Sequence, residues 1–194
     1  MIDPLLDRGD GHTELDPDER VGLKLSWVRT RGDLNAAEQD NIAEALATLR
    51  QPAPETILDD LWLRKLHSRM FGEVWAWAGK YRVRNTNLGI ESSLIPTSMR
   101  NLVEDAACWM QSEDAPVVLG ARFHHALVSI HPFPNGNGRH GRAAAGLLVK
   151  AIGGPQFTWG RGYHDADRAR TTYLAALREA DNGNYDPLNT FVVS

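Results

Sequence analysis

The residues that most clearly suggest chemistry lie in one segment, His131 to Arg142, with the sequence HPFPNGNGRHGR. Gly136 and Gly138 flank an amide residue, and glycines let the backbone turn tightly and bring its N–H groups close to a ligand. Apolar residues at helical spacing follow at once, so we expect the turn to lie at a helix N-terminus. The free amides and the positive end of the helix dipole make such a turn a site for phosphate or another anion.

Three side chains around this turn are charged or titratable. Arg139 and Arg142 would share one face of the predicted helix and could bind further phosphate oxygens. His131 precedes the turn, and we expect the nearby positive charges to keep its imidazole neutral and able to accept a proton. A base beside an anion site predicts phosphoryl or nucleotidyl transfer. The segment is not a Walker A loop, because no Lys-Ser/Thr pair follows the second glycine, and no convincing strand precedes it as in a dinucleotide-binding turn.

Apolar periodicity predicts a mainly helical protein that positions this segment. Stripes at helical spacing indicate helices at about 33–50, 55–70, 99–110, 119–130, 138–152 and 165–180, with Asp33 or Asn35 capping the first. The helix over 119–130 ends directly before His131 and gives the predicted base a rigid support. Residues 81–96 instead hold two short extended stretches, which fit either a small β-hairpin or a surface loop.

Composition and charge limit the class of protein. The 194 residues are 42% hydrophobic and carry a net charge of −4, which fits a globular chain and gives no basic surface for nucleic acid. No apolar run is long enough to span a membrane, and residues 1–20 are acidic rather than signal-like, so we expect a cytoplasmic protein. The single cysteine, Cys108, excludes an intrachain disulfide and is expected to be buried. His124 and His125 lack the spacing of zinc signatures, which favours a structural role.

The segment from His131 to Arg142 closely resembles the signature of the Fic (fido) family, His-x-Phe-x-acid-Gly-Asn-Gly-Arg-x-x-Arg, and departs from it only at Asn135. Looser similarity at 77–96 and 173–191 extends the resemblance over about residues 55–193. Leu15 to Pro17 and the stretch 34–39 resemble the Fic subgroup called mobile mystery protein B. The resemblance therefore implies a Fic domain over residues 55–194, preceded by an arm and helix over residues 1–54 with a regulatory role.

This resemblance implies a fold, an activity and a set of functional residues. Fic proteins are mainly α, a helical bundle with a small β-hairpin flap, and they transfer AMP from ATP to a Ser, Thr or Tyr hydroxyl of a target protein. His131 corresponds to the general base, and Asn137 and Arg139 complete the implied catalytic set. The implied nucleotide-binding residues are Phe133, Asn135, Gly136, Asn137, Gly138, Arg139 and Arg142. The flap residues expected to bind the target as an added strand are Asn87, Leu88, Gly89 and Ile90.

Asn135 leaves the role of a metal open. In the family, an acid at this position holds the Mg²⁺ that bridges the α- and β-phosphates, whereas an amide offers one oxygen and no charge. Three outcomes follow: Mg²⁺ held mostly by phosphate oxygens and water, weak activity, or a different nucleotide donor. Mg²⁺ stays an expected cofactor beside ATP, with Asn135 as its candidate ligand. Gly138 stands where the kinase-like Fic branch has Lys, which favours AMP transfer over phosphorylation.

The sequence leaves more than one interpretation open for the regulation and for the function of this protein. Many Fic proteins are inhibited by a helix whose Glu pairs with the second signature arginine, Arg142 here. Glu38 is the candidate for that role, and the alternative is a solvated glutamate on the first helix. The family also includes toxin-like enzymes that have a separate antitoxin-like regulator. Beside a protein adenylyltransferase, two functions stay open: a nucleotide-binding regulatory module without turnover, and a transferase of another phosphate-linked group.

Overall fold

The computed structural model describes residues 21–194, and this part of the chain is mainly helical. The helices are α1 Arg31–Ala47, α2 Pro54–Ile57, α3 Asp60–Phe71, α4 Ile95–Trp109, α5 Pro116–Ile130, α6 Asn137–Ala151, α7 Ala166–Asp181 and α8 Asp186–Val192, with a 3₁₀ turn at Ser92–Leu94. The six predicted helices are confirmed, although the one expected over 55–70 is divided into α2 and α3. The predicted arm at residues 1–20, and with it the subgroup similarity at Leu15 to Pro17, lies outside the described residues.

Helices α5 and α6 form the centre of the bundle and bracket the signature loop. Both helices bury most of one side, and α5 is apolar along most of its length, which suits a helix surrounded by others. Pro116 starts α5 at a position where a missing N–H costs no helical hydrogen bond. Because α5 ends at Ile130 and α6 begins at Asn137, the loop between them is short and both of its ends are fixed by packing.

Helix α1 belongs to the same core as the rest of the described chain. Leu34 is fully buried in that core, and Asn41 bonds the backbone of Arg69 and Glu73 at the end of α3. The expected cap at Asp33 or Asn35 is wrong. Thr30 is the N-cap, and Asp33 is its capping-box partner three residues later, with Thr30 Oγ1 accepting from the Asp33 N–H at 3.1 Å.

The segment over 81–91 is a loop. Within residues 21–194 the only β pairing is an isolated bridge between Leu23 and Trp75, so the expected hairpin flap is not confirmed. Asn85 Oδ1 accepts from the Ser92 N–H at 2.8 Å, and Ser92 Oγ donates to the Val83 carbonyl at 3.2 Å. Side chains therefore close this loop where a hairpin would use a ladder of backbone hydrogen bonds.

Two further expectations concern the surface. Cys108 is exposed, so the expectation of a buried thiol is wrong: the apolar side of α4 passes through Met99, Leu102 and Ala106 and leaves position 108 outside. No helix in the described part of the chain is long and apolar enough to cross a membrane.

Candidate active site

His131 lies at the C-terminal end of α5 in a left-handed conformation, with φ 54° and ψ 58°. This conformation is uncommon for a residue other than glycine, and it turns the chain away from the helix axis. The side chain is buried, with 8% of the residue exposed, and it lines the cavity described below.

Burial is the main cause that lowers the pKa of His131 to about 4. The positive charge of Arg82 lowers the pKa further, and a hydrogen bond to the backbone of Val128 opposes the shift. The expectation that the signature arginines keep the ring neutral is therefore wrong about the cause. The ring is neutral at pH 7 and can accept a proton.

Asn137 fixes the shape of the signature loop. Its Oδ1 accepts from the Phe133 N–H at 2.9 Å, and its Nδ2 donates to the Phe133 carbonyl at 2.7 Å. Phe133 itself is fully buried and stacks on His67, with ring centroids 3.8 Å apart. Both polar atoms of the Asn137 side chain are thus engaged within the loop, which gives this residue a structural part in the site.

The N-terminus of α6 forms the anion-binding end of the site. Gly136 precedes the helix with φ +80°, and a Cβ there would lie 2.5 Å from Phe71 Cζ, so only glycine fits. No side chain caps this 15-residue helix. Its first amides are therefore available to a ligand, and the positive end of its dipole faces the same place.

Arg142 reaches this end of the site as a half-buried cation. Burial lowers its pKa, and the Tyr173 hydroxyl is its hydrogen-bond partner. No described carboxylate forms an ion pair with Arg142. Tyr173 is in turn bonded to His124 Nε2 at 2.9 Å. A half-buried guanidinium that pairs with no carboxylate of the described residues is suited to bind phosphate oxygens when a nucleotide enters.

Arg139 has a different environment, because Glu38 reaches it from α1. Glu38 Oε2 lies 2.7 Å from Arg139 Nη2, and Oε1 accepts from Trp75 Nε1 at 2.7 Å. Only 1% of Glu38 is exposed, so the reading as a solvated glutamate is wrong. The expected partner is also wrong: the carboxylate pairs with the first signature arginine, Arg139, while Arg142 bonds Tyr173.

A cavity of about 690 Å³ joins these groups, a volume typical of small-molecule sites. The signature residues that line it are His131, Asn135, Gly136, Asn137, Gly138, Arg139 and Arg142. Its other walls include Leu88, Gly89 and Ile90 from the loop, Arg31 and Asn35 from α1, and Arg170 and Tyr173 from α7. Phe133, Asn87 and Glu38 are not among the lining residues. Phe133 and Glu38 are buried behind the wall, and Asn87 is exposed on the loop.

The residues around Asn135 do not fit a protein-held Mg²⁺. Asn135 Oδ1 already accepts from the Gly136 N–H at 2.6 Å, and Nδ2 is a buried donor without a partner. Among the lining residues, Asp181 alone has a carboxylate, and it is bonded to His125 Nε2 at 2.8 Å. Mg²⁺ requires several oxygen ligands and favours carboxylates, and this wall offers mainly cations and N–H donors.

Sequence reasoning missed two buried residues that hold the loop. His67 Nδ1 accepts from the Gly79 N–H at 3.1 Å, and its Nε2–H donates to the Asn135 carbonyl at 3.0 Å. Burial places the pKa of His67 well below its usual value. Arg82 donates from Nε to the His131 carbonyl at 2.7 Å. The sequence signal for His67 is a polar residue among the apolar residues of the helix predicted over 55–70. The signal for Arg82 is the similarity of residues 77–82 to a Fic segment.

Comparison with known proteins assigns this architecture to a family. Residues 57–149 match the Fic/DOC family. Residues 57–149 therefore form a Fic/DOC family domain. It is 30% identical over 151 residues to the protein adenylyltransferase Fic of Drosophila melanogaster, covering 75% of this chain and 29% of the relative. It is 27% identical over 143 residues to protein adenylyltransferase fic-1 of Caenorhabditis elegans, covering 71% and 27%. The chain thus spans about a quarter to a third of the length of these curated relatives.

Solved structures support the same fold. The N-terminal Fic domain of Bep8 from Bartonella sp. 1-1C superposes with a TM-score of 0.69 at 18% identity, covering 89% of this chain and 90% of that one. BepC from Bartonella tribocorum, with bound AMPPNP, gives a TM-score of 0.67 at 18% identity, covering 85% and 87%. At such identities the likeness establishes the helical Fic fold.

Proposed function

We propose that this Fic domain transfers AMP from ATP to a hydroxyl side chain of a target protein. The observation that carries the proposal is the shared cavity: a neutral, buried His131 lies in the same space as the uncapped start of α6 and the half-buried Arg142. The adenylyltransferase names of the curated relatives support the same reaction.

The proposed chemistry is a displacement at the α-phosphorus. His131 accepts the proton of the target hydroxyl as the new oxygen–phosphorus bond forms and the bond to pyrophosphate breaks. A positioned general base typically contributes ~10²–10⁴-fold. The amides of Asn137 and Gly138 stabilise charge on the phosphates, whereas the Gly136 N–H is bonded to Asn135 Oδ1. Arg142 and Arg139 bind the leaving pyrophosphate. Asn137 serves catalysis by holding the loop that presents these groups.

We propose that ATP itself brings any Mg²⁺ that takes part. The phosphate oxygens and water are then its ligands, because the wall around Asn135 offers no carboxylate for it. Of the three outcomes that Asn135 left open, this one agrees best with the charges that line the cavity.

We propose that Glu38 restrains the enzyme by occupying Arg139. A phosphate oxygen and the Glu38 carboxylate would compete for the same guanidinium, so the ion pair must loosen before Arg139 can bind the nucleotide. This gives the region over residues 1–54 the regulatory role expected of it, through α1. It also provides a point where a separate antitoxin-like regulator could act.

The proposed partner is a cytoplasmic protein substrate with a Ser, Thr or Tyr hydroxyl. Leu88, Gly89 and Ile90 line the cavity next to His131, which is where a target segment must lie for its hydroxyl to reach the base. Asn87 lies at the exposed end of the same stretch. Membership of the mobile mystery protein B subgroup is part of the same proposal, supported by the stretch 34–39 that forms part of α1.

A nucleotide-binding module without turnover is the second candidate, favoured by the Glu38–Arg139 ion pair and by Asn135 at the acidic position. ATP labelled on the α-phosphate, incubated with cell lysate and either the native chain or His131→Ala, separates the two. Transfer that depends on His131, with an added mass of AMP on a hydroxyl residue, supports the enzyme. Tight ATP binding without transfer supports the module, and transfer only from another donor supports a different phosphate-linked group.

A further inference from the structure

Arg82 contacts two successive carbonyls immediately after α5. Its backbone N–H donates to the Pro132 carbonyl at 2.9 Å, and its Nε donates to the His131 carbonyl at 2.7 Å. Only 2% of Arg82 is exposed. These bonds fix the peptide groups on the C-terminal side of His131, which set the direction in which this residue leaves the helix.

The same guanidinium also holds the loop that lies over His131. Its Nη1 donates to the Arg84 carbonyl at 2.9 Å, and its Nη2 donates to the Ile90 carbonyl. The Ile90 N–H donates to the Ile130 carbonyl at 3.4 Å. Both ends of the stretch 84–90 are thereby tied to the end of α5 through one side chain.

Gly89 shows how closely the loop approaches the base. A Cβ at this position would lie 2.3 Å from the His131 Cβ and 2.9 Å from Arg82 Nη2, and its φ is +91°. The backbone at Gly89 is therefore in direct contact with His131, which any other residue would prevent. A shift of the loop cannot leave the His131 side chain unaffected.

We propose that Arg82 is a positioning residue that couples the loop at 88–90 to the left-handed conformation of His131, so that the target segment and the base are aligned by one guanidinium. The proposal rests on the function proposed above. Arginine suits this role because its planar fork presents several N–H donors in fixed directions, whereas the lysine ammonium is a compact group on a flexible stem. The charge of Arg82 also contributes to the low pKa of His131.

The test compares Arg82→Lys and Arg82→Ala with Val83→Ala, a substitution of a neighbouring residue that is 88% exposed. We expect Arg82→Ala to lower kcat for AMP transfer by about 100-fold, the effect of misplacing a reacting group by an ångström. The Kd for ATP should stay within about threefold, because Arg82 does not line the cavity. Arg82→Lys should recover only a small part of kcat, ethylguanidinium should partly rescue Arg82→Ala, and Val83→Ala should match the native chain.

Hydrogen exchange provides a measurement that does not depend on activity. The amides of Ile90 and His131 should exchange faster in Arg82→Ala and Arg82→Lys, and should be unchanged in Val83→Ala. Unchanged exchange at both amides in Arg82→Lys, which keeps the charge and much of the bulk, would overturn the proposal. So would full transfer activity in this variant. If the native chain transfers no AMP, the proposed function fails while the exchange experiment still decides the role of Arg82.

Discussion

Replacing Glu38 with Gln tests whether the ion pair to Arg139 restrains the site. The Gln side chain keeps an oxygen for Trp75 Nε1, now 2.7 Å from Glu38 Oε1, and turns an amide N–H₂ towards the guanidinium. Arg139 then loses its anionic partner and meets another donor. We therefore expect Arg139 to be released towards the cavity, and ATP to bind more tightly.

The size of the effect follows from the exposure of the pair. A hydrogen bond between charged groups contributes about 1.5–3 kcal/mol, and solvent-exposed pairs contribute about 0.2–1 kcal/mol. Here the Glu38 side chain is 2% exposed and that of Arg139 is 32% exposed. An intermediate value of about 1–2 kcal/mol corresponds to roughly 5–30-fold in affinity. The Kd for ATP, measured by isothermal titration calorimetry, should fall by about that factor, and self-modification should rise.

Trp75→Phe is the matched control, because it removes the other bond of the same carboxylate. This variant should lose about 2–4 kcal/mol of stability, because a buried carboxylate oxygen loses its donor and the smaller ring leaves a void, with an unchanged Kd for ATP. If Glu38→Gln instead binds ATP as weakly as the native chain, or more weakly, the reasoning is refuted. Glu38 would then orient Arg139 for the phosphates rather than compete with them.

Three other predictions follow from the site. Asn135→Asp should make ATP affinity depend on Mg²⁺, because a carboxylate at the wall repels the phosphates in EDTA and adds a metal ligand; equal Kd values for this variant with and without Mg²⁺ would contradict this. His67→Gln keeps a donor for the Asn135 carbonyl, whereas His67→Asn keeps only an acceptor for the Gly79 N–H. We therefore expect a higher kcat/KM in the Gln variant, and the reverse order would contradict the role given to His67. Stability should fall as pH drops from 6.5 towards 4, because burial lowers the pKa of His140 and His131 to about 4 and the unfolded chain binds those protons first. His140 alone accounts for about 3 kcal/mol of this loss, and a flat urea-unfolding stability over that range would contradict it.

The local part of this structure could be predicted from the sequence, because it depends on residues close together in the chain. Apolar spacing predicts the helices, and the turn at Gly136 predicts the uncapped start of α6. The cause of the low pKa at His131 could not be predicted, since it comes from burial and from Arg82, 49 positions away. The contacts of Glu38 could not be predicted either. In the sequence this residue resembles any surface glutamate, and only the packing of α1 places it beside Trp75 and Arg139.

The long-range contacts together explain why the signature segment alone does not make a site. Asn137 closes the loop on itself through Phe133, but the two ends of the loop are fixed from outside. His67, which lies in α3, donates to the Asn135 carbonyl. Arg82, which lies in the segment that follows α3, donates to the His131 carbonyl. Since Gly79 bonds His67 and lies three residues before Arg82, one stretch of chain contacts the supports of both ends. A change in that stretch should therefore alter the base and the phosphate-binding turn together, although none of residues 79–82 lines the cavity.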